Sequence, residues 1–142
     1  MEYAFWDSSA LVKLCIVRQS TPAVHRLIVA YRTAVWWSTP IEMRSAFARL
    51  TRMGQLNPVE HAAARVELDY LRSMWREMLP DEQVRHEAEE LVDRFPLKAA
   101  DAQQVAAALA WCEERPAGRA FISGDAQLIS AADQIGFQTI QV

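Results

Sequence analysis

Four acidic residues, Asp7, Glu42, Asp101 and Asp125, lie where an apolar run ends or a helical pattern begins. Asp7 directly follows the apolar run Tyr3–Trp6, which contains no turn residue and predicts a buried strand. In open α/β sheets, ligands bind beyond the carboxyl ends of the strands, and Asp7 is predicted to stand at such an end. Several carboxylates at one edge of a sheet would have the chemistry of a divalent-cation site.

Each of these carboxylates also has a purely structural interpretation. Asp7 and Asp125 can cap the helices that follow them, and Glu42 can close a capping box with Thr39. Asp101 can favour the positive end of its own helix. Under this alternative the four side chains stabilise helices and bind no metal.

The positions of two of the acids on their predicted helices favour the metal site. Asp101 lies four residues before Val105 on an apolar helical stripe, and Glu42 lies four residues before Ala46 on another. Both carboxylates are therefore expected to point toward the sheet, which a cap does not require. Buried carboxylates repel one another unless they are paired or bound to metal. Because the ligands are all oxygens, Mg²⁺ or Mn²⁺ is favoured over Zn²⁺.

The histidines give no support to another catalytic chemistry. His25, His61 and His86 all fall in the middle of predicted helices in polar surroundings, where ordinary surface residues are expected. A Ser/His/Asp triad therefore has no support. An acidic metal site suits hydrolysis of a phosphodiester bond, because the metal activates water and neutralises charge on the phosphate.

Composition limits the remaining possibilities. The formal net charge of -3 argues against a general polyanion binder, although an arginine patch beside an acidic site is compatible with it. Cys15 and Cys112 lie far apart with no metal-ligand spacing, as expected of a reduced cytoplasmic protein. No apolar run approaches the length of a membrane span, and the first residues lack the basic start of a signal peptide. We expect one soluble domain over residues 1–142.

Apolar runs alternate with helical patterns along the chain. Strands are predicted at 3–6, 34–37, 77–79, 120–123 and 137–140. Helices are predicted at 8–17, 21–31, 38–53, 57–76, 81–94 and 125–135, with another through Asp101 and Cys112 that ends before Pro116. This alternation predicts an α/β fold with a parallel sheet and right-handed crossovers.

The segments that carry the four acids resemble the PIN-domain nucleases, most closely the VapC-type toxins of bacterial toxin–antitoxin pairs. The resemblance is carried by Phe5–Lys13, Glu42–Leu50, Leu97–Ala102 and Phe121–Leu128, in the order found in the family. It spans nearly the whole chain. It implies a single PIN domain, an α/β/α sandwich with a central, mostly parallel sheet of four to five strands.

The resemblance also implies an activity and a site. The activity is that of a Mg²⁺- or Mn²⁺-dependent endoribonuclease. Matching positions assign the catalytic and metal-binding carboxylates to Asp7, Glu42, Asp101 and Asp125. Ser123 would be the hydroxyl just before the last acid, and Ser8 would orient Asp7.

Partners follow from the same resemblance. It implies an RNA substrate, a homodimer and a cognate antitoxin whose tail covers the active-site groove. Arg44, Arg49 and Lys13 are candidates for RNA phosphate contacts, with ordinary solvated surface as the alternative. The chain departs from the family pattern at Gln103-Gln104 and at Gly124, and both departures are expected to alter the rim of the site rather than its acidic set.

Two other functions remain open on the sequence. A receiver-like phosphoacceptor domain also gathers acids at the edge of a parallel sheet, but it needs a lysine after the last strands, and Lys13 and Lys98 are the only lysines here. A catalytically silent module that binds RNA or a protein partner would use the carboxylates only as caps.

Overall fold

A five-stranded, entirely parallel β-sheet forms the centre of the structure, a computed structural model that describes all 142 residues. The strands are β1 (Tyr3–Trp6), β2 (Arg32–Trp36), β3 (Arg76–Met78), β4 (Ala120–Ser123) and β5 (Gln138–Gln141). Their order across the sheet is β3-β2-β1-β4-β5, and every neighbouring pair is parallel. The predicted α/β class is confirmed, with five strands and no antiparallel pair.

Seven α-helices connect and cover the strands. They are α1 (Ser8–Cys15), α2 (Pro22–Ala30), α3 (Thr39–Arg52), α4 (Pro58–Arg72), α5 (Glu82–Arg94), α6 (Ala99–Trp111) and α7 (Ala126–Ile135). None of them has the length and apolar character needed to cross a membrane.

The sheet separates two apolar cores, because alternate residues of each strand face opposite sides. Ala4 and Trp6 of β1 pack with α1 to α4 on one face. Phe5 packs with α5, α6 and α7 on the other, where its ring stacks on Phe121 at a centroid distance of 5.8 Å. The result is the α/β/α sandwich that the resemblance implied.

The central strand β1 is where the direction of strand addition reverses. The chain proceeds from β1 to β2 and β3 on one side and later returns to β4 and β5 on the other. The crevice at such a reversal, beyond the carboxyl ends of the strands, is the usual ligand site of an open α/β sheet. Asp7 follows β1 here, and its backbone N–H donates to the Ile122 carbonyl of β4 at 2.9 Å.

Several predicted boundaries were wrong, and strands β3 and β5 are each shifted by one residue from the predicted ranges. The helix expected to reach Arg76 ends at Arg72, because Arg76 instead begins β3 opposite Ala34. Strand β2 begins at Arg32 rather than Ala34, since Arg32 lies opposite Tyr3 in the parallel register. The first helix ends at Cys15, and a short 3₁₀ turn follows it.

Candidate active site at the carboxyl edge of the sheet

Asp7 is the most enclosed of the four predicted acids, with 2% of the residue exposed. It caps α1, and its Oδ2 accepts hydrogen bonds from the Ser9 hydroxyl, from the Ser9 backbone N–H at 3.3 Å and from the Ser123 hydroxyl at 2.8 Å. Its Oδ1 accepts only one long bond, from Ser8 at 3.4 Å. One oxygen of Asp7 is thus held by the protein, and the other is nearly free.

Ser9 was not among the residues selected from the sequence. Its hydroxyl donates to Asp7 and also accepts the Gly124 backbone N–H at 2.9 Å, so it joins the start of α1 to the loop after β4. The signal in the sequence was a second hydroxyl within the first turn of the helix that Asp7 caps. Ser9 therefore holds Asp7 and ties it to the loop after β4.

Ser123 lies at the end of β4 and is fully buried. Besides donating to Asp7, its hydroxyl accepts the Asp125 backbone N–H at 3.0 Å. This side chain, selected from the resemblance, therefore connects the first and last acids of the set.

Glu42 stands in the first turn of α3 and is half-buried. Its Oε2 accepts bonds from the Ser38 hydroxyl at 2.7 Å and from the side-chain amide of Gln104 at 2.9 Å. Its Oε1 accepts one long bond, at 3.4 Å, from Ser8. Ser8 thus bridges Glu42 and Asp7, whereas the capping box between Glu42 and Thr39 does not form, because α3 begins at Thr39 and Ser38 holds the glutamate instead.

The expectation that Gln103-Gln104 affects only the rim of the site was wrong for Gln104. Its side chain is fully buried and donates both to Glu42 and, at 3.3 Å, to the Thr39 hydroxyl. Its own Oε1 has no hydrogen-bond partner. Gln103, by contrast, is half-buried and lines a cavity of about 480 Å³ beside α5. Gln104 therefore bonds directly to one of the four carboxylates, that of Glu42.

Asp101 and Asp125 complete the set. Asp101 lies half-buried in the first turn of α6, and Asp125 caps α7 through Oδ1, which accepts the backbone N–H groups of Gln127 and Leu128 at 2.8 and 3.2 Å. The capping interpretation is thus correct for Asp7 and Asp125, and each cap uses only one carboxylate oxygen. The two ion pairs of the chain, Arg18 to Glu60 and Arg85 to Glu82, involve none of the four acids.

Burial raises the pKa of three of these carboxyl groups. It is the largest effect on Asp7, Glu42 and Asp101, and negative neighbours raise each pKa further. The neighbour of Glu42 is Asp7, and the neighbours of Asp101 are Asp7 and Asp125. The four groups therefore lie within one another's electrostatic field, and three of them carry an energetic cost when ionised.

The donor set fits a hard divalent cation in its chemistry. The ligands would all be oxygens, and each acid keeps at least one oxygen with few or no donors. No basic side chain forms an ion pair with any of the four, although the charge of Lys98 lowers the pKa of Asp101. No three His, Cys, Asp or Glu side chains are close enough together to hold a metal ion as they are arranged. Coordination would therefore require the carboxylates to draw closer together.

The predicted basic residues occupy two different environments. Arg44 and Arg49 are exposed on α3, the helix that carries Glu42. Lys13 is half-buried on α1 and donates to the Val142 carbonyl at 2.6 Å. Its Cε lies 3.2 Å from the position that a Cβ on Gly124 would take, so Lys13 flanks the loop between Ser123 and Asp125.

The histidines lie away from the four acids. His25 and His86 are exposed as expected. His61 differs from the expectation of an ordinary surface residue, because it is half-buried on α4 and shares a hydrogen bond of 3.1 Å with the Thr51 hydroxyl of α3. This contact joins two helices and has no part in the acidic site.

Solved structures share this fold over nearly the whole chain. PAE2754 from Pyrobaculum aerophilum superposes with a TM-score of 0.67 at 19% identity, covering 97% of this chain and 89% of that one. FitAcB from Neisseria gonorrhoeae gives a TM-score of 0.66 at 16% identity, covering 97% and 96%. A toxin–antitoxin complex from Klebsiella pneumoniae gives 0.59 at 14% identity, covering 89% and 90%.

No protein-family model matches the sequence, and no curated protein matches it. At identities below 20%, the structural matches establish the fold. The PIN-type architecture expected from the sequence resemblance is confirmed at that level.

Proposed function

We propose that this protein is a Mg²⁺- or Mn²⁺-dependent endoribonuclease that hydrolyses RNA phosphodiester bonds as the toxin of a toxin–antitoxin pair. The observation that carries the proposal is that Asp7, Glu42, Asp101 and Asp125 lie within one another's electrostatic field at the strand-order reversal, and that none of them forms an ion pair. Carboxylates without ion-pair partners at a ligand-binding edge favour a bound cation.

The four carboxylates would hold the metal, which supplies an activated water and charge neutralisation at the phosphate. The chain's own task is to keep the ligands in place. Ser9 and Ser123 hold Oδ2 of Asp7, which leaves Oδ1 available to a cation. Ser38 and Gln104 do the same for Oε2 of Glu42, as side chains around metal ligands commonly do.

The RNA and protein partners belong to the same proposal. Arg44 and Arg49 are exposed on the helix that carries Glu42, and an arginine can contact a phosphate with two parallel hydrogen bonds. Lys13 lies beside the loop that carries Asp125 and would add positive charge there. One of the matched structures is a toxin–antitoxin complex, which supports a cognate antitoxin as the partner here.

The receiver-like alternative receives little support. Receiver-type doubly wound sheets have the strand order 2-1-3-4-5, whereas this sheet has the order 3-2-1-4-5. Lys98 precedes α6 and Lys13 lies within α1, so neither follows the last strands as a phosphoacceptor site requires.

The silent-module alternative explains only half of the acidic set. Asp7 and Asp125 accept backbone N–H groups as caps do. Glu42 is bonded only by side chains, and no hydrogen bond contributes to the pKa shift of Asp101. Asp101 lies in the first turn of α6, where the positive helix end favours it, but burial and the charges of Asp7 and Asp125 still raise its pKa. The two half-buried carboxylates Glu42 and Asp101 are therefore costly unless they bind something.

Calorimetry with Mn²⁺ tests the proposal on the wild type, Asp101→Asn and the control Asp133→Asn, whose side chain is exposed on α7. We expect the wild type and the control to bind Mn²⁺ and Asp101→Asn to lose binding while its circular dichroism is unchanged. The same proteins are then incubated with labelled single-stranded RNA, and cleavage should follow metal binding. A folded wild type that neither binds Mn²⁺ nor cuts RNA would overturn the proposal.

A further inference from the structure

A cavity of about 480 Å³ at the carboxyl edge of the sheet is lined by residues of α5 and α6 and by the end of β2. Its buried lining is apolar and comes from Trp36, the last residue of β2, and from Val84 and Ala88 on α5. Val92, which is 42% exposed, continues the same face of α5 at four-residue spacing. The cavity has the size of a small-molecule pocket, and its aromatic and aliphatic lining suits a flat ring.

We propose that this cavity binds a guanine base of the RNA substrate, next to the phosphodiester bond that is cut. The inference rests on the proposed nuclease function and adds a base-recognition pocket to it. It is carried by the position of the cavity relative to the four acids and by the charged groups at the rim of the cavity.

The amino end of α6 separates the cavity from the acids. Ala99 lines the cavity, and Asp101, in the same helical turn, belongs to the acidic set. Since successive helical residues are about 100° apart around the axis, these two residues point to nearly opposite sides of α6. A strand of RNA that crosses this helix end would therefore place a phosphate at the acids and an adjacent base in the cavity.

The same helix end offers binding groups to the RNA backbone. No side chain caps α6, so its first backbone N–H groups are available to a phosphate. Lys98, exposed directly before the helix, adds a positive charge close enough to Asp101 to lower the pKa of that carboxyl group. Contacts to the backbone position a strand but carry no sequence information. Recognition of sequence is therefore left to the base in the cavity.

The rim of the cavity disfavours a phosphate and suits an uncharged base. It carries three carboxylates, those of Asp81, Glu82 and Glu89, and one guanidinium, that of Arg85. Asp81 caps α5 by accepting the Val84 backbone N–H at 2.9 Å, and Arg85 pairs with Glu82 at 3.0 Å. Glu89 forms no ion pair, so both of its oxygens can accept hydrogen bonds from a ligand.

Arg85 and Glu89 together match the edge of guanine. They are four residues apart on α5 and are therefore neighbours on one face of the helix. Guanine presents its O6 acceptor beside adjacent N–H donors at N1 and N2, and no other RNA base has two adjacent donors on that edge. Glu89 would accept both N–H groups, and Arg85 would donate to O6. The ion pair with Glu82 does not prevent this, because both side chains are largely exposed and such surface pairs contribute little stability.

Nucleoside binding tests the pocket without metal or cleavage. Guanosine, inosine and adenosine are each added to the wild-type protein in EDTA, and binding is followed by saturation-transfer NMR. We expect guanosine to bind most tightly. Inosine lacks the amino group at C2, and it and adenosine should bind at least about 5-fold more weakly. Equal binding of the three nucleosides, or no binding of guanosine, would overturn the proposal.

A matched pair of substitutions tests whether Glu89 reads the base. Glu89→Gln removes one of the two acceptors, and Glu90→Gln makes the same change in charge at the next residue of α5, which is exposed and does not line the cavity. We expect Glu89→Gln to lower the preference for guanosine by about 10-fold and Glu90→Gln to keep it. Both variants should retain the circular dichroism of the wild type. An unchanged preference in Glu89→Gln would overturn the proposal.

RNA cleavage separates this inference from the proposed function. In single-stranded RNAs with one guanine in a run of uridines, the wild type and Glu90→Gln should cut beside the guanine, and Glu89→Gln should lose this preference. Cleavage by the wild type without regard to guanine would contradict only this inference. A wild type that prefers guanosine but neither binds Mn²⁺ nor cuts RNA would contradict the proposed nuclease function, and the guanine pocket would stand.

Discussion

Gln104 and Glu42 are joined by a hydrogen bond of 2.9 Å that crosses from α6 to α3. The donor is a fully buried side-chain amide, and it holds the Glu42 oxygen that Ser38 also binds. The other oxygen of Glu42 is left with only a long contact to Ser8. A single buried amide thus sets the direction in which one carboxylate of the candidate site can coordinate a cation.

Replacing Gln104 with leucine should weaken metal binding without unfolding the protein. Leucine keeps much of the side-chain volume but removes the donor, so Glu42 loses one of its two firm contacts. Residues that orient metal ligands contribute about 10- to 100-fold to affinity or activity, and we expect a loss of that size in Mn²⁺ affinity by calorimetry. Gln103→Leu, at the neighbouring position beside α5, is the matched control and should bind as the wild type does. Equal affinities for both variants would show that Gln104 does not position Glu42.

Ser9→Ala should lower the rate of RNA cleavage far more than Ser8→Ala does. The Ser9 hydroxyl bonds Asp7 and accepts the Gly124 N–H, whereas the contacts of Ser8 with Asp7 and Glu42 are both 3.4 Å long. Loss of the Ser9 hydroxyl leaves Oδ2 of Asp7 with only the Ser123 hydroxyl and the backbone N–H of residue 9, and it leaves the Gly124 N–H unpaired. We expect an RNA cleavage rate lower by about 10- to 100-fold for Ser9→Ala, and within a few-fold of the wild type for Ser8→Ala. The reverse order would contradict the roles assigned from the geometry.

The sequence was sufficient to predict features that depend on local pattern. Strands β1 and β4 were predicted with their observed bounds, because each is a short apolar run closed by a polar residue. The same apolar runs placed Asp7 and Ser123 at the ends of strands. Local pattern also gave caps at Asp7 and Asp125 as the alternative interpretation, and both caps form.

The features that the sequence did not predict depend on contacts between segments that lie far apart in the chain. Gln104 reaches Glu42 over 62 positions and Ser9 meets Gly124 over 115, and no local periodicity encodes either contact. The capping box expected at Thr39 failed for a similar reason. Ser38, one residue earlier, binds Glu42, and the Thr39 hydroxyl is turned into the core to accept Gln104.

Gly136→Ala should lower stability, because this glycine ends α7 in the left-handed region with φ at 119°. A side chain in that conformation costs about 1–2 kcal/mol. A Cβ would also lie 3.4 Å from Cγ of Pro116, in ordinary contact, so the backbone conformation accounts for the effect. Urea unfolding should show a lower midpoint with an unchanged slope.

Gly124→Ala is the control for this stability change. Its backbone lies outside the left-handed region, and the closest atom to a new Cβ is Cε of the flexible Lys13 side chain at 3.2 Å. We expect a smaller loss of stability than for Gly136→Ala. A larger loss would mean that crowding beside Lys13, rather than backbone conformation, limits substitution at these glycines.

Asp101→Asn should stabilise the metal-free protein, and more so at pH 8 than at pH 4.5. Burial and the nearby charges of Asp7 and Asp125 raise the pKa of Asp101 in the folded state. A raised pKa favours folding while the group is protonated. This contribution is lost as the pH rises through the pKa of the folded state. Ionised Asp101 therefore opposes folding at pH 8, and asparagine removes that charge.

Thermal unfolding in EDTA measures this effect as the Tm of Asp101→Asn minus that of the wild type at each pH. We expect a positive difference of a few degrees at pH 8 and a smaller one at pH 4.5, with no such trend for Asp133→Asn, whose side chain is exposed on α7. Added Mn²⁺ should reverse the order at pH 8, because a cation that binds only the folded wild type stabilises it by mass action. If Asp101→Asn instead lowered the Tm in EDTA at pH 8, its carboxylate would be acting chiefly at the positive end of α6, and the site would not be under the charge repulsion that favours a metal.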